Sequence, residues 1–454
     1  MKDLTQGNIY KNFILFAIPL ILAGLLSSGY NTIDTIIAGK YIGENGLAAT
    51  GSTSSLLGFL GWVFWGWGMG LSIYIGRLFG AKDYQTLKAT IYNNLIVLIA
   101  VTLFISMLII VFRDFIIDIF QVDSVIRKES LQYMICYIAG LFAIVLSSCF
   151  VHIMNALGIS GFPFYMSLIS AILNIASNIF TIVVLKMGVT GVALSTVFSA
   201  LVTDLLYLFK LRSCFREMGV EKQRVTYHPA SVKSALAFAA PVTLQQALMS
   251  CASLLVSPMI NALGSVATAA HTVSIRVYDI NSQIYQHSAK ALGNFTSQSI
   301  GAGKIKNLQK GVYAGLLQGV AFVLPTLLAC AFFAKPICKM FFPSDYNGES
   351  LTYCIHYVRF FLPFILFNLV NNLTHTFFRA AGSMKFLISL SSLGALVRLI
   401  AIYLLIPKLG MYGVFTGNVI SWIAEAVISV VIYFSGSWKT PLIRELEQTE
   451  NRNQ

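Results

Sequence analysis

No Asp, Glu, Lys or Arg occurs in the 56 residues from Ser130 to Leu185. A water-soluble domain cannot bury so long an uncharged stretch, because its chain must keep returning to a charged surface. The stretch therefore belongs in lipid. It is interrupted once, at Gly158, Gly161 and Pro163, and reads as two spans of about 20 residues joined by a tight turn. The remaining chain agrees: 57% of the 454 residues are hydrophobic and 11% charged, with mean hydropathy +0.75, where a soluble protein carries roughly 25% charged residues. The apolar runs are continuous and do not alternate, which points to helices and not to a barrel. The expected fold class is an all-α polytopic membrane protein, and function narrows to transport, signalling or intramembrane chemistry. The first apolar run, Phe13 to Asn31, is long enough to span and lacks a small-residue cleavage site, so it is expected to be a span and not a leader.

Twelve spans are expected, at 13–34, 50–76, 89–112, 130–155, 163–185, 189–209, 234–258, 267–300, 311–334, 352–378, 386–407 and 410–434. With the N-terminus in the cytoplasm, interior segments hold 18 Lys and Arg and exterior segments 8. That bias places both termini inside a plasma (inner) membrane and accounts for most of the net charge of +13 without nucleic acid. The seven Cys show no metal-ligand spacing and read as small hydrophobes. Residues 210–233 form a basic cytoplasmic linker, which divides an N-lobe (1–209) from a C-lobe (234–437), followed by a polar tail (438–454) expected to fray.

The halves repeat. Pro19 recurs as Pro241, Gly80-Ala81-Lys82 as Gly301-Ala302-Gly303-Lys304, and Lys186-Met187-Gly188 as Lys408-Leu409-Gly410, each 221 or 222 residues later. Six spans per copy is an even number, so both copies enter the membrane in the same sense. The expected architecture is two six-helix lobes related by a pseudo-two-fold axis along the membrane normal, as in transporters that bind near the midplane and rock between access states.

Pro19, Tyr30-Asn31-Thr32-Ile33-Asp34-Thr35 with Gly39 and Gly43, Ala48-Ala49-Thr50-Gly51, Gly80-Ala81-Lys82-Asp83, Asn155-Ala156-Leu157-Gly158, Ala269-Ala270-His271 and Arg379-Ala380-Ala381-Gly382 appear in an order similar to that of the MATE (multidrug and toxic compound extrusion) family. The resemblance runs from about Leu4 to Phe434 and is closer to the DinF-like than to the NorM-like branch, since no acid lies in the seventh or tenth span. It implies secondary active efflux driven by H⁺ or Na⁺, no other cofactor, small organic substrates and a monomer in membrane lipid. It also implies a coupling site at Asp34, Asn174 and Thr196, with Asn178 standing where that branch has an Asp.

The residues themselves support polar interior faces. Ser27, Asn31 and Asp34 share one helix face, as do Asn174 and Asn178. A carboxylate at the centre of a span costs about 2.5–3.5 kcal/mol on insertion scales, so Asp34 is expected to face a polar cavity and to cycle between protonated and ionised forms. Its alternative is an interfacial cap. Asn174, Asn178 and Thr196 offer oxygens to a hard cation or a relay to a proton; alternatively they are polar glue between helices. The eighth span carries a continuous stripe of Arg276, Asp279, Gln283, His287, Lys290 and Asn294. The tenth carries Asn368, Asn371, His375 and Arg379, and the eleventh Arg398. All five Lys/Arg inside spans or, as Arg379, one residue past a span's limit belong to the C-lobe, counting Arg359, and face only Asp279 and Glu425. Arg276 and Asp279 are expected to pair at i, i+3. The stripe is either a self-neutralised packing network or the wall of a positively lined cavity that favours anionic or zwitterionic substrates. On this reading Asn31, Arg276, Asp279, Gln283, His287, Lys290, Asn371, His375, Arg379 and Arg398 are the substrate-binding candidates.

A solute antiporter fits best. A flippase for a lipid-linked oligosaccharide or peptidoglycan precursor is the alternative, since a cationic cavity suits pyrophosphate. An enzyme is not expected: no nucleophile–base pair, metal-protease motif or phosphate-binding loop appears.

Overall fold

The computed structural model describes residues 1–120, 122–225, 227, 229–342, 347–440 and 442–443, and for 28, 30–39, 44, 45, 47 and 55 the backbone alone. Backbone amides in hydrocarbon have no water to bond, so each span satisfies them internally as helix. The long helices are α1 (9–42), α2 (44–80), α3 (Tyr84–Val111), α4 (Arg127–Ala139 with Leu141–Ala156), α5 (Gly161–Val184), α6 (Val189–Glu217), α7 (Pro229–Asn261), α8 (Ser265–Gly301), α9 (Leu308–Phe332), α10 (Glu349–Ala380), α11 (Met384–Leu409) and α12 (Met411–Ser435). Among the described residues, ten helices are long and apolar enough to cross a membrane, and the two segments of α4, bent by 49°, make an eleventh. The twelfth is α8. Its 37 residues reach about 55 Å at 1.5 Å per residue, ample for a core of about 30 Å. Its many polar residues, the stripe among them, lower its hydropathy.

The sequence repeat is also a repeat of backbone conformation. Gly43 (φ 84, ψ −174) breaks α1 from α2, and Gly264 (φ 91, ψ 176) stands before α8. Lys82 (φ 60) matches Gly303 (φ 68), and Gly188 (φ 58) matches Gly410 (φ 54). Left-handed backbone favours glycine, and it recurs where the chain must turn between spans. α4 bends at Gly140; the corresponding part of α10 has wide turns over Tyr357–Phe361 and a tight one over Leu362–Phe364. Pro363 lacks the amide that would close the regular bond there.

Packing divides the chain into two units, Met1–Asp3 with Ile18–Thr243, and Leu4–Ala17 with Leu244–Gln454. This differs from the lobe limits expected from the linker. The first half of α1 belongs to the second unit: Phe13 meets Phe295 at 5.2 Å between centroids, Leu4 N donates to Gln298 Oε1 (2.9 Å), and Lys304 Nζ donates to Thr5 Oγ1 (2.8 Å). The first half of α7 belongs to the first unit. Tyr74 stacks on Phe238, Arg77 covers the same ring at 4.7 Å, and a Cβ at Gly70 would stand 2.4 Å from Ala239 Cα. The exchange occurs next to Pro19 and Pro241. Each proline removes one helical hydrogen bond and lets the two halves of its helix follow different surfaces.

A further expectation is corrected. The tail does not fray at Trp438: this indole is 6% exposed, packs edge-on to Phe377 at 4.7 Å and offers its backbone carbonyl to Ser383 Oγ, and Leu442 is also buried. Aromatic burial holds a segment whose composition reads as polar. Residues 444–454 lie outside the described residues. Two of the buried cysteines, Cys338 and Cys354, bring their thiols to 2.7 Å.

The linker begins as an ordered clasp. Lys88 Nζ donates to the carbonyls of Val220, Glu221 and Gln223 (3.0, 2.9 and 2.7 Å), while Arg212 and Arg216 both hold the Glu221 carboxylate at 2.9 Å. Hydrogen bonds from Arg216 and then Arg212 lower the Glu221 carboxyl from 4.5 to about 2. A depressed carboxyl stabilises fully above its unfolded value, and that contribution is lost as pH falls through the folded one. Thermal unfolding should therefore show wild type above Glu221→Gln at neutral pH. The gap should narrow below pH 4.5 and close near pH 2; a gap unchanged over that range contradicts the clasp.

Candidate functional site

In the first unit, α5 and α6 bring together three of the four coupling candidates. Asn178 and Asn174 lie one turn apart on α5 and are each 1% exposed. Asn178 Nδ2 donates to Asn174 Oδ1 at 3.0 Å, and Asn174 Nδ2 approaches Thr196 Oγ1 on α6 at 3.4 Å. The Thr196 hydroxyl donates in turn to Val192 O at 3.1 Å. Amides can both donate and accept, so this row can orient around a proton or turn its oxygens to a cation. The side chains of Asn31 and Asp34 lie outside the described residues.

A carboxylate outside the coupling candidates also has a defined partner in this unit. Asp204, 5% exposed near the middle of α6, accepts from Ser147 Oγ of α4 at 2.6 Å. The signal was available, since Asp204 is the one acid in the expected sixth span. Its partner lies 57 residues away and no spacing rule joins the two.

In the second unit, the eighth-span stripe is present but graded along its length. Arg276 is exposed, Asp279, Gln283 and Lys290 are half-buried, and His287 and Asn294 are buried. The expected Arg276–Asp279 pair does not form; no ion pair joins them among the described residues. One turn of helix separates the two, but an exposed guanidinium gains more from hydration than from a partner drawn against the helix.

The tenth-span stripe is largely buried and clamps neighbouring helices. Arg379 Nη2 donates to Gln245 Oε1 of α7 at 3.1 Å, and Gln245 Nε2 donates to Ser391 Oγ of α11 at 2.6 Å. His375 Nε2 meets Glu425 Oε1 of α12 at 3.1 Å. Gly394 makes room for that carboxylate: a Cβ there would lie 2.9 Å from the Glu425 Cδ. Asn371 Nδ2 donates to Trp422 O at 3.0 Å, and Asn368 Nδ2 reaches the hydroxyls of Tyr278 (2.8 Å) and Tyr285 (3.1 Å). Arg398 of α11 is half-buried, with one long bond from Nη1 to Ser253 Oγ at 3.4 Å. Tyr278, Tyr285, Trp422 and Gln245 were not singled out in the sequence. Aromatic residues abound in any span, and only their polar partners distinguish these.

A surface depression of ≈ 660 Å³ is lined by Asn261, Gly264, Ser265, Thr268, Ala269, Thr272, Val273, Phe341 and Phe342. It contains none of the candidate residues.

The Arg379–Gln245–Ser391 chain predicts a structural effect. Gln245→Leu removes an acceptor from a buried guanidinium and should lower stability by about 1–3 kcal/mol. Thermal unfolding of the purified variant measures this, and an unchanged midpoint would show that the chain carries no load.

Comparison with known proteins agrees with this architecture. The family model described as MatE matches residues 19–180 and 241–404, one block in each half of the chain. The chain is 26% identical over 326 residues to the probable multidrug resistance protein YoeA of Bacillus subtilis, covering 69% of each. It is 22% identical over 368 residues to an FAD transporter of Shewanella oneidensis, covering 78% of this chain and 80% of that one. Its fold superposes with a TM-score of 0.85, at 20% identity, on a MOP superfamily transporter from Pyrococcus furiosus described as having a binding pocket of reverse polarity that suggests a different function. That superposition covers 96% of this chain and 98% of the other. With both halves matched at the positions of the internal repeat, the chain belongs to the MatE family of multidrug and toxic compound transporters.

Proposed function

We propose that this chain is a plasma-membrane antiporter that exports organic solutes in exchange for H⁺ or Na⁺ and favours anionic or zwitterionic ones. The division of charge between its two units carries the reading. The spans of the second unit hold Arg276, Lys290, Arg359, Arg379 and Arg398 against Asp279 and Glu425, and Glu425 is held by a histidine, not by one of these cations. Arg276, Arg359 and Arg398 make no ion pair among the described residues. Cations kept in a membrane without acids to neutralise them need water or an anionic ligand. The FAD transporter of Shewanella oneidensis is named for an anionic solute, and the Pyrococcus furiosus protein for reversed pocket polarity.

Within this reading the candidates separate by role. Arg276, Asp279, Gln283, Lys290 and Arg398 are exposed or half-buried and suit a substrate wall. Asn371, His375 and Arg379, together with His287, are buried and suit the scaffold behind it. Asp34 is the coupling group, with Asn174, Asn178 and Thr196 as its shell and Asn31 one turn before it. Ion binding at Asp34 would shift the population between access states, so that ion entry and solute exit are linked. Both termini are cytoplasmic, and the monomer is the transporting unit.

A ligand that binds only the folded protein raises its melting point, by about 2.7 kcal/mol of stability at a hundred times Kd. Organic anions should raise the Tm of the purified protein, with organic cations inactive at the same concentration. Stabilisation by cations alone would make this a carrier of cationic drugs and reduce the second unit's Arg and Lys to packing groups.

A further inference from the structure

The third span of each repeat is followed by a short helix that precedes the next span: Arg113–Ile119 before α4 and Ala334–Lys339 before α10. Elements of 7 and 6 residues are too short to be helical on their own, so each needs a fastening. In the first unit the fastening is ionic. Arg127, the first residue of α4, donates to Asp118 and lies 3.9 Å from Asp114. In the second unit no ion pair joins the corresponding elements among the described residues. Cys338 of the short helix and Cys354 of α10 meet there instead, with their sulfurs 2.7 Å apart and both residues fully buried. Neither thiol has another side-chain partner among the described residues, and no other two of the seven cysteines meet.

Cytoplasmic termini put the connection between α9 and α10 on the exterior side, where no thiol-reducing pool keeps cysteines reduced. Two thiols in contact gain only a weak hydrogen bond from each other. A covalent bond between them would close a loop whose ends lie 16 residues apart and remove freedom from the unfolded chain. The step needs an oxidant, and a disulfide-bearing one, small molecule or protein, suffices. One cysteine thiolate attacks the oxidant's disulfide, forms a mixed disulfide and expels the first oxidant sulfur. The second thiolate attacks the protein sulfur of that intermediate and expels the other. Both cysteines lose a proton, two electrons leave with the oxidant, and the oxidant departs as two thiols. Full burial sets the order of events. Exchange precedes docking of the short helix, and once the helix is packed an exterior reductant has no path to the bond.

We propose that Cys338 and Cys354 form a disulfide that fastens the exterior helix Ala334–Lys339 to the start of α10; this rests on the cytoplasmic termini proposed above. Cells producing the full chain are quenched in acid, dissolved in denaturing detergent with N-ethylmaleimide, then reduced and treated with iodoacetamide. Mass spectrometry should find maleimide on five of the seven cysteines and the second label on Cys338 and Cys354. Without reduction, the two peptides that carry them should stay joined. Cys354→Ser should free Cys338 to take maleimide like the rest, and should unfold at a lower temperature than wild type. Maleimide on all seven wild-type cysteines, or the second label on any other pair, overturns the disulfide. The side of the membrane is read separately at Lys335, which is exposed on the same short helix. In Cys338→Ser/Cys354→Ser protein carrying Lys335→Cys, a membrane-impermeant maleimide should label the new thiol in intact cells. Labelling there with seven maleimides in wild type overturns the disulfide and leaves the orientation standing. Labelling only after lysis overturns the orientation, and the exterior placement of the bond with it.

Discussion

Charge in hydrocarbon is the constraint from which most of this molecule follows. An ionised side chain at the centre of a span costs several kcal/mol unless water, a counter-charge or a hydrogen-bond network receives it. The chain therefore keeps most of its charges at helix ends and in loops, and several of those inside spans are placed with partners. Asp204 has Ser147, Glu425 has His375, and Arg379 has Gln245. Each partner comes from a different helix, so each pair also fixes how two helices meet. The remaining span cations, Arg276 and Arg398 among them, are exposed or half-buried, where water or a ligand can reach them. On the proposed function, packing and substrate contact separate by burial.

Backbone satisfaction sets the second constraint. Every break in a span needs a local device: glycine with positive φ at Gly43 and Gly264, wide turns at Tyr357–Phe361, and proline at Pro19 and Pro241. The glycine and proline devices recur about 221 residues apart, so the repeat is preserved where the chain changes direction even as most side chains diverge. The prolines have the largest consequence. At each of them the helix leaves the unit in which it began, and α1 and α7 exchange their first halves.

Much of this was legible in the sequence. An uncharged stretch with one Gly/Pro interruption has few solutions, so the spans, their number and the internal repeat followed from composition and spacing. The stripe on α8 was legible for the same reason, because period and polarity are both linear properties. The exchange of half-helices was not. Leu4–Ala17 and Pro229–Thr243 look like any apolar run, and which unit they pack on is decided by side chains far away, such as Phe295 for Phe13 and Gly70 for Ala239. The i, i+3 rule proposed a pair between Arg276 and Asp279, but adjacency on a helix does not decide whether water is the better partner. Trp438 and Gln245 escaped notice because their roles exist only in three dimensions.

The account assigns ion coupling to the first unit and substrate charge to the second. Proteoliposomes carrying Asp34→Asn or Arg398→Gln test that division through one assay, solute flux under imposed H⁺ and Na⁺ gradients alongside equilibrium solute binding. Asp34→Asn should keep solute binding and lose gradient-driven flux, whereas Arg398→Gln should weaken binding and keep the dependence of the residual flux on the gradient. Full gradient-driven flux in Asp34→Asn would contradict the account at its centre.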